Sequence, residues 1–478
     1  MSHQTVSGGS GGPRRVWLPV AAWAATRAVL LLCVLKVLVL PGPDVTSDVS
    51  VIYQGWSEVL RTGTFPLDDV TWQYPPAAAL PVLAPGLLPF LGYAPAFFAL
   101  VLVVDAAGLA LFLRADGGPP CSFRAWGRHG HRPLGAWVWI AGVALLGPTA
   151  YARYDLMVTV VAAAALFAAA RRPGAAGALV AFGALLKVWP VLLLCGAAWP
   201  WPGRRRARAL WLSAAGTATG LTLFFVSLAP GALAFVTFQR DRGTEIESLG
   251  GLVFHVARHY GWSGEARLNY GSVEFLGPGV PFVSTLALVL TVTAMGWLLL
   301  WRLRARTLGG ATLCDAAFTA TLLFTTTSRV ISPQYMLWLV GLAAVCMTVR
   351  ASRQGLPAAL VLVATGVTLL EFPVSFPHVV AGDARGIALL ALRNGLLVAA
   401  SLVAARRLWV ATGAGRRADS GRRGGGAERG ESAVPGAVIA PRGRAAGAPE
   451  GPEPSAAPAP SAPALTSTAA SHKRATDG

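Results

Sequence analysis

Charge is scarce in this 478-residue chain, and negative charge is scarcest: Asp and Glu number 22 against 40 Lys and Arg, and charged residues make up only 13% of the sequence. Cysteine is rarer still. Cys33, Cys121, Cys195, Cys314 and Cys346 fall in apolar runs or in Arg-rich stretches and show no metal-ligand spacing, which predicts neither disulfides nor a zinc site. No cluster of paired carboxylates appears, so neither a metal nor a cofactor is called for. The glycine run Gly8–Gly12 lacks a Lys-Ser/Thr ending and a preceding strand, which excludes a phosphate loop. The apolar runs lack the alternation of a β-barrel.

What the chain has in excess is apolar sequence. Hydrophobic residues are 54% of the total, mean hydropathy is +0.55, and several runs approach or exceed the ~18 residues needed to cross a bilayer. Helices satisfy their own backbone in lipid, so the expected fold is an all-α polytopic membrane bundle of about 10–12 transmembrane helices. The net charge of +18 sits in Arg clusters between apolar runs, where it sets orientation and meets anionic lipid rather than nucleic acid.

Counting charges at the run ends gives a topology. Residues 1–15 are expected to be a disordered cytoplasmic N-terminus, 16–410 the membrane domain, and 411–478, rich in Ala, Pro, Gly and Ser, a disordered cytoplasmic tail. The first run, 16–40, carries no cleavage pattern and is a retained span. A first external loop covers 41–76, a Pro-punctuated piece at 77–92 dips into the outer leaflet, and a large external loop covers 230–279. The run 174–202 is flanked by arginines at both ends and interrupted by Pro190, which predicts a re-entrant helical hairpin.

The external segments hold the polar chemistry. Ser47–Leu60 has the spacing of an interfacial amphipathic helix with Asp48 at its start and Tyr53 and Trp56 on one face. The plain reading of those aromatics is an interfacial belt, and of Asp48 a helix-start acid. Cations are uncommon outside, which singles out Arg153, Arg240, Arg242, His255, Arg258, His259 and Arg329; headgroup contacts or ion pairs with Asp241, Glu245 or Glu247 are their plain alternative. Within the spans, Asp105 and Lys187 stand out. Lys187 lies in the hairpin, where capping or snorkelling is the expected role. A transporter or lipid flippase would also explain spans, hairpin and cations, but it needs polar groups near the midplane, and few are evident.

Four stretches add a resemblance. "SDVSVIYQGWSEVLRTGTFP" followed by "WQYPPAAALPVLAPGLLP", "GALLKVWPVLLL", "QRDRGTEIESLGGLVFH" and "SRVISPQYMLWL" resemble motifs of the polyprenol-phosphate-mannose-dependent mannosyltransferases, glycosyltransferase family 87. Asp48, Tyr53, Gly63, Pro66, Tyr74, Pro75 and Pro76 match in order, with the Asp48–Tyr53 interval one residue longer than in the family pattern. The resemblance implies a GT-C bundle in the plasma membrane with both termini cytoplasmic. It implies a polyprenyl-phosphate sugar as donor substrate and an envelope glycolipid or lipoglycan as acceptor, with no cofactor. Asp48 would be the catalytic base of an inverting displacement on the external face. Arg329, Arg240, Arg242, Arg153 and His255 are the expected donor-phosphate ligands, and Tyr53, Trp56, Tyr74, Gln334 and Tyr335 the expected sugar or acceptor contacts.

Overall fold

A computed structural model describes residues 14–117, 134–197, 204–240 and 243–415. The chain divides into Met1–Arg417 and Ala418–Gly478, and the second part lies wholly outside the described residues, as do most of the expected N-terminal tail and the loop carrying Arg124, Arg128 and Arg132. In chain order the elements are α1 (Arg14–Val34), a π-helical turn (Asp48–Tyr53) running into α2 (Gln54–Arg61), α3 (Ala79–Leu83), α4 (Tyr93–Gly117) and α5 (Leu134–Leu145). Next come α6 (Asp155–Ala169), α7 (Pro173–Leu186), a 3-10 segment (Trp189–Ala197), α8 (Arg204–Leu228) and α9 (Phe235–Arg240). The large loop supplies β1 (Thr244–Glu245), α10 (Gly251–Arg258), β2 (Glu265–Asn269) and β3 (Ser272–Leu276). The chain continues with α11 (Val280–Arg304), α12 (Thr312–Thr327), α13 (Tyr335–Thr348), α14 (Gly355–Leu369), α15 (Phe376–Ala381) and α16 (Ala384–Ala411).

This is an all-α polytopic membrane protein. Among the described residues six helices are long and apolar enough to span, namely α1, α4, α8, α11, α14 with its following π-turn, and α16. The expected 10–12 is approached only by adding shorter apolar helices such as α5, α6, α7 and α13. Packing explains the short ones. Every residue of α13 from Met336 to Thr348 is buried, so its ends meet protein rather than lipid, whereas the spanning windows of α8 and α11 are only 17% buried and face outward.

The hairpin forms as expected, but its break falls at Lys187, which is extended (φ −159°, ψ 130°), and not at Pro190. The chain turns there into the 3-10 segment Trp189–Ala197. Both arms return to one end of the bundle, since Pro173 and Ala197 line one small cavity with Arg206 and Leu313. The large loop departs from the all-helical expectation by folding a small antiparallel sheet in the order β1-β3-β2. Its turn, Asn269-Tyr270-Gly271-Ser272, has positive φ at Tyr270 (47°) and Gly271 (76°), the geometry of a two-residue hairpin whose twist matches the strands. Ile246, Phe254, Phe275, Val280, Val379 and Leu390 form a separate core beneath it.

Two interior charge pairs tie the helices together. Arg27 of α1 donates to the Asp105 carboxylate of α4 at 2.7 and 3.2 Å, and Asp105 also accepts from Trp23, Trp139 and Tyr151. Arg393 of α16 bridges Glu371 at 2.9 Å, the Ile331 carbonyl at 3.1 Å and the Glu247 carbonyl at 2.7 Å. Asp105, the acid expected to be a functional suspect, therefore joins three helices. Asp105→Ala should lower stability by about 3–5 kcal/mol because it strands a buried guanidinium. Lys36→Ala, which removes a pair whose side chains are 61% and 45% exposed, should cost under about 1 kcal/mol. Thermal unfolding of the two variants in detergent separates them.

Candidate active site

One cavity of about 420 Å³ gathers residues from three of the four stretches singled out above; no described residue of Gln239–His255 lines it. The first loop contributes Asp48, Tyr53, Trp56 and Tyr74, the hairpin tip Lys187 and Trp189, and the turn before α13 Arg329, Ser332, Gln334 and Tyr335. The sheet contributes Tyr270, Gly271 and Ser272.

Asp48 is placed by local sequence. Asp44 accepts from Thr46 N–H at 2.8 Å and Thr46 Oγ1 at 2.6 Å, and the Thr46 carbonyl then accepts from the N–H groups of Val49 and Ser50 to start the helix. The first turn is π-helical, Asp48–Tyr53. A π-turn holds one more residue than an α-turn, which absorbs the extra residue between Asp48 and Tyr53 and leaves both lining the cavity. The Asp48 side chain is 33% exposed, and its Oδ2 lies 2.6 Å from Arg153 Nη2. Arg153 is itself nearly buried and donates to the carbonyls of Val45 and Ala152. The carboxylate is thus oriented from behind and open in front.

The aromatics are not a belt. Tyr53 and Trp56 are 2% and 4% exposed and stack at 5.4 Å; Trp56 meets Trp72 and Tyr74 edge-on. Trp56 Nε1 donates to Asp69 at 2.7 Å, and Asp69 also accepts from Thr71 N–H and Oγ1. Burial opposes the charge on Asp69, but these donors outweigh it and hold the carboxyl below its usual range.

Lys187 is the main correction to the reading of the hairpin. It stands at the tip and lines the cavity. Its ammonium lies 2.7 and 2.9 Å from the Asp155 oxygens, with the rings of Tyr74, Tyr154, Tyr335 and Trp338 within 5.2–5.8 Å. Trp338 Nε1 donates to Asp155 at 2.6 Å, and Tyr335 stacks on Trp338 at 3.9 Å. The aromatic faces favour a cation there.

The turn bearing Arg329 is clamped by Glu245, a residue the sequence had suggested only as an ion-pair partner. Its oxygens accept from Ile331 N–H at 2.7 Å and Ser332 Oγ at 2.9 Å, and its own N–H donates to the Arg329 carbonyl at 3.0 Å. Below it, burial and the neighbouring Glu371 and Glu245 carboxyls hold the Glu247 carboxyl well above its usual range. The charges at Arg393 and Glu371 were detectable as ionisable groups inside apolar runs, and the Asn-x-Gly at 269–271 as a hairpin turn.

The remaining expected phosphate ligands divide. Arg329 and Asp48's partner Arg153 lie at the site, although Arg153 sits behind the carboxylate. Arg242 and the side chain of Arg240 lie outside the described residues. His255 does not reach the cavity. It is fully buried, with Nε2 3.0 Å from the Ile246 carbonyl and its ring edge-on to Phe275 at 4.9 Å. Arg258 and His259 bond the carbonyls of Val380 and Gly382 and so fasten α10 to α15. Away from the site, Cys314, Asp315 and Cys346 bring their ligand atoms within 4.8 Å of one another, a grouping the sequence spacing concealed.

The cavity lies in a bundle of apolar helices, and its described lining residues include one acid, Asp48, with Lys187 and Arg329. A family model described as Glycosyltransferase family 87 matches residues 72–333. That is more than half of the chain, and the protein belongs to glycosyltransferase family 87: it is a membrane glycosyltransferase. The match includes the hairpin, the sheet and the Arg329 turn, and begins after Asp48. No curated protein matches the chain.

Burial pushes His255 down from 6.5 to about 4. The neutral form is favoured in the fold, so its contribution to stability is complete above pH 6.5 and is lost as pH falls towards 4. Hydrogen-exchange protection factors across Gly251–Arg258, corrected for intrinsic exchange, should fall over that window in the native chain and lose that pH dependence in His255→Asn.

Proposed function

We propose that this glycosyltransferase moves a mannosyl residue from a polyprenyl-phosphate donor to an envelope glycolipid or lipoglycan acceptor, by a single inverting displacement on the external face of the plasma membrane. The observation that carries the reading is the cavity's charge arrangement. Among its described lining residues Asp48 is the only carboxylate, and Lys187 and Arg329 are the cations.

In this scheme Asp48 takes the proton from an acceptor hydroxyl as that oxygen attacks the anomeric carbon. The carbon–oxygen bond to phosphate breaks, and the electron pair leaves with the polyprenyl phosphate. Lys187 and Arg329 offset the charge that develops on the leaving group, in a site whose aromatic walls exclude water. Arg153, 2.6 Å from Asp48 Oδ2, holds the carboxylate in place. Tyr53, Trp56, Tyr74, Gln334 and Tyr335 supply ring faces and polar atoms for the sugars. A donor carried on a lipid suits an external site, where sugar nucleotides are absent, and the apolar Val188, Phe235 and Val236 at the cavity suit the start of its tail.

Membranes containing the native chain should transfer label from polyprenyl-phosphate mannose to envelope lipids. Asp48→Asn at equal abundance should lose on the order of 10²–10⁴ in rate, the usual contribution of a general base; unchanged transfer would remove Asp48 from the mechanism. The paired change Lys187→Met with Asp155→Asn, which leaves no lone buried carboxylate, should lose about 10²–10³ in kcat, and an unaltered kcat would take Lys187 out of the phosphate site.

A further inference from the structure

At the opposite end of α14 and α16 from Glu371 and Arg393 lies a second concave site of about 550 Å³, lined by Ser352, Arg353, Gly355, Arg406, Arg407 and Val410. Three arginines line it and no carboxylate is among the described lining residues. None of the three forms an ion pair among the described residues. Arg407 is anchored by its donation to the Arg353 carbonyl. Ser352 is held on Asp315 at 2.6 Å, which fixes the loop that presents Arg353. The first intrahelical bond of α14 runs from Ala358 N–H to the Gln354 carbonyl, so the N–H groups of Gly355 and Leu356 precede the helical ladder beside the arginines. Like charges gathered in a shaped recess repel unless an anion joins them.

The surroundings identify the kind of anion. The recess sits where two spanning segments, Gly355–Val374 and Ala384–Ala411, end. Apolar side chains run from it along both helices: Leu356 and Val363, two turns apart on α14, are 47% and 55% exposed, and Val410 and Leu402 on α16 are both 64% exposed. A soluble phosphate would use the arginines and leave that apolar track idle. A phospholipid uses both, its phosphodiester among the guanidinium groups and its acyl chains against Leu356, Val363 and Leu402.

We propose that this recess is a specific binding site for the headgroup of an anionic phospholipid, separate from the cavity that holds Asp48. The arrangement of several arginines between helix ends is the chemistry by which membrane proteins hold such headgroups.

Native mass spectrometry of the full-length detergent-purified protein with added phosphatidylglycerol tests it. The variant Arg353→Gln/Arg406→Gln/Arg407→Gln is compared with Arg205→Gln/Arg206→Gln/Arg208→Gln, which removes the same charge from the start of α8. Lipid-free thermal unfolding of each variant establishes that it is folded. The expected result is phosphatidylglycerol adducts on the native chain and the α8 variant, weakened by about fivefold per arginine and on the order of a hundredfold in the first variant. Phosphatidylcholine of the same chains should bind weakly to all three. Equal phosphatidylglycerol binding by both variants would overturn the site. So would displacement of the lipid by millimolar inorganic phosphate, which would assign the recess to a free anion.

Discussion

The cost of putting charge inside an apolar bundle governs this structure. An unpaired ion in such surroundings is expensive, and three buried pairs join different elements. Arg27 with Asp105 fastens α1 to α4. Arg393 with Glu371 fastens α16 to the end of α14, and through the carbonyls of Ile331 and Glu247 to the turn before α13 and to the large loop. Lys187 with Asp155 fastens the hairpin tip to the start of α6. Helices that attract one another only weakly in lipid are thereby placed in one arrangement.

The same rule shapes the active cavity. The pairs deeper in the bundle are closed off, with both partners of Arg27–Asp105 and Arg393–Glu371 essentially inaccessible. The Asp48–Arg153 pair is asymmetric, its arginine 10% and its carboxylate 33% exposed. The Asp48 carboxylate is thus held by its partner and still open to the cavity, as a fully closed pair is not. The closed pairs also answer the transport alternative. Ionisable groups in the spans are more numerous than the sequence had suggested, since Arg27, Asp155, Asp315 and Arg393 join Asp105 and Lys187. Apart from Lys187, which lines the cavity, they serve packing rather than being aligned along a path.

Much of the fold was legible because hydropathy and arginine placement follow directly from the bilayer. The apolar runs expected at 94–113, 335–349 and 356–371 match α4, α13 and α14 within a few residues, while α16 runs on past the expected 386–405, and the flanking arginines gave the hairpin. The gathering of Asp48, Tyr53, Tyr74, Arg329 and Tyr335 came from motif resemblance, since no local pattern brings residues so far apart in sequence together. Depth was illegible. Nothing in the sequence near Lys187 says that the hairpin tip reaches the first loop, and nothing near His255 says that a small sheet and Phe275 close over it. The role of Glu245 was hidden for the same reason, because its bonds are to backbone and hydroxyl groups of the turn some 86 residues on. The added residue before Tyr53 was visible, but its accommodation as a π-turn depends on packing against the cavity.

The measurement that bears most directly on the central claim is the structure of the full chain in lipid nanodiscs with a polyprenyl phosphate bound. The account predicts the phosphate between Lys187 and Arg329, with the position of the sugar's anomeric carbon facing Asp48. A phosphate held elsewhere, with the Asp48 cavity left to solvent, would contradict it.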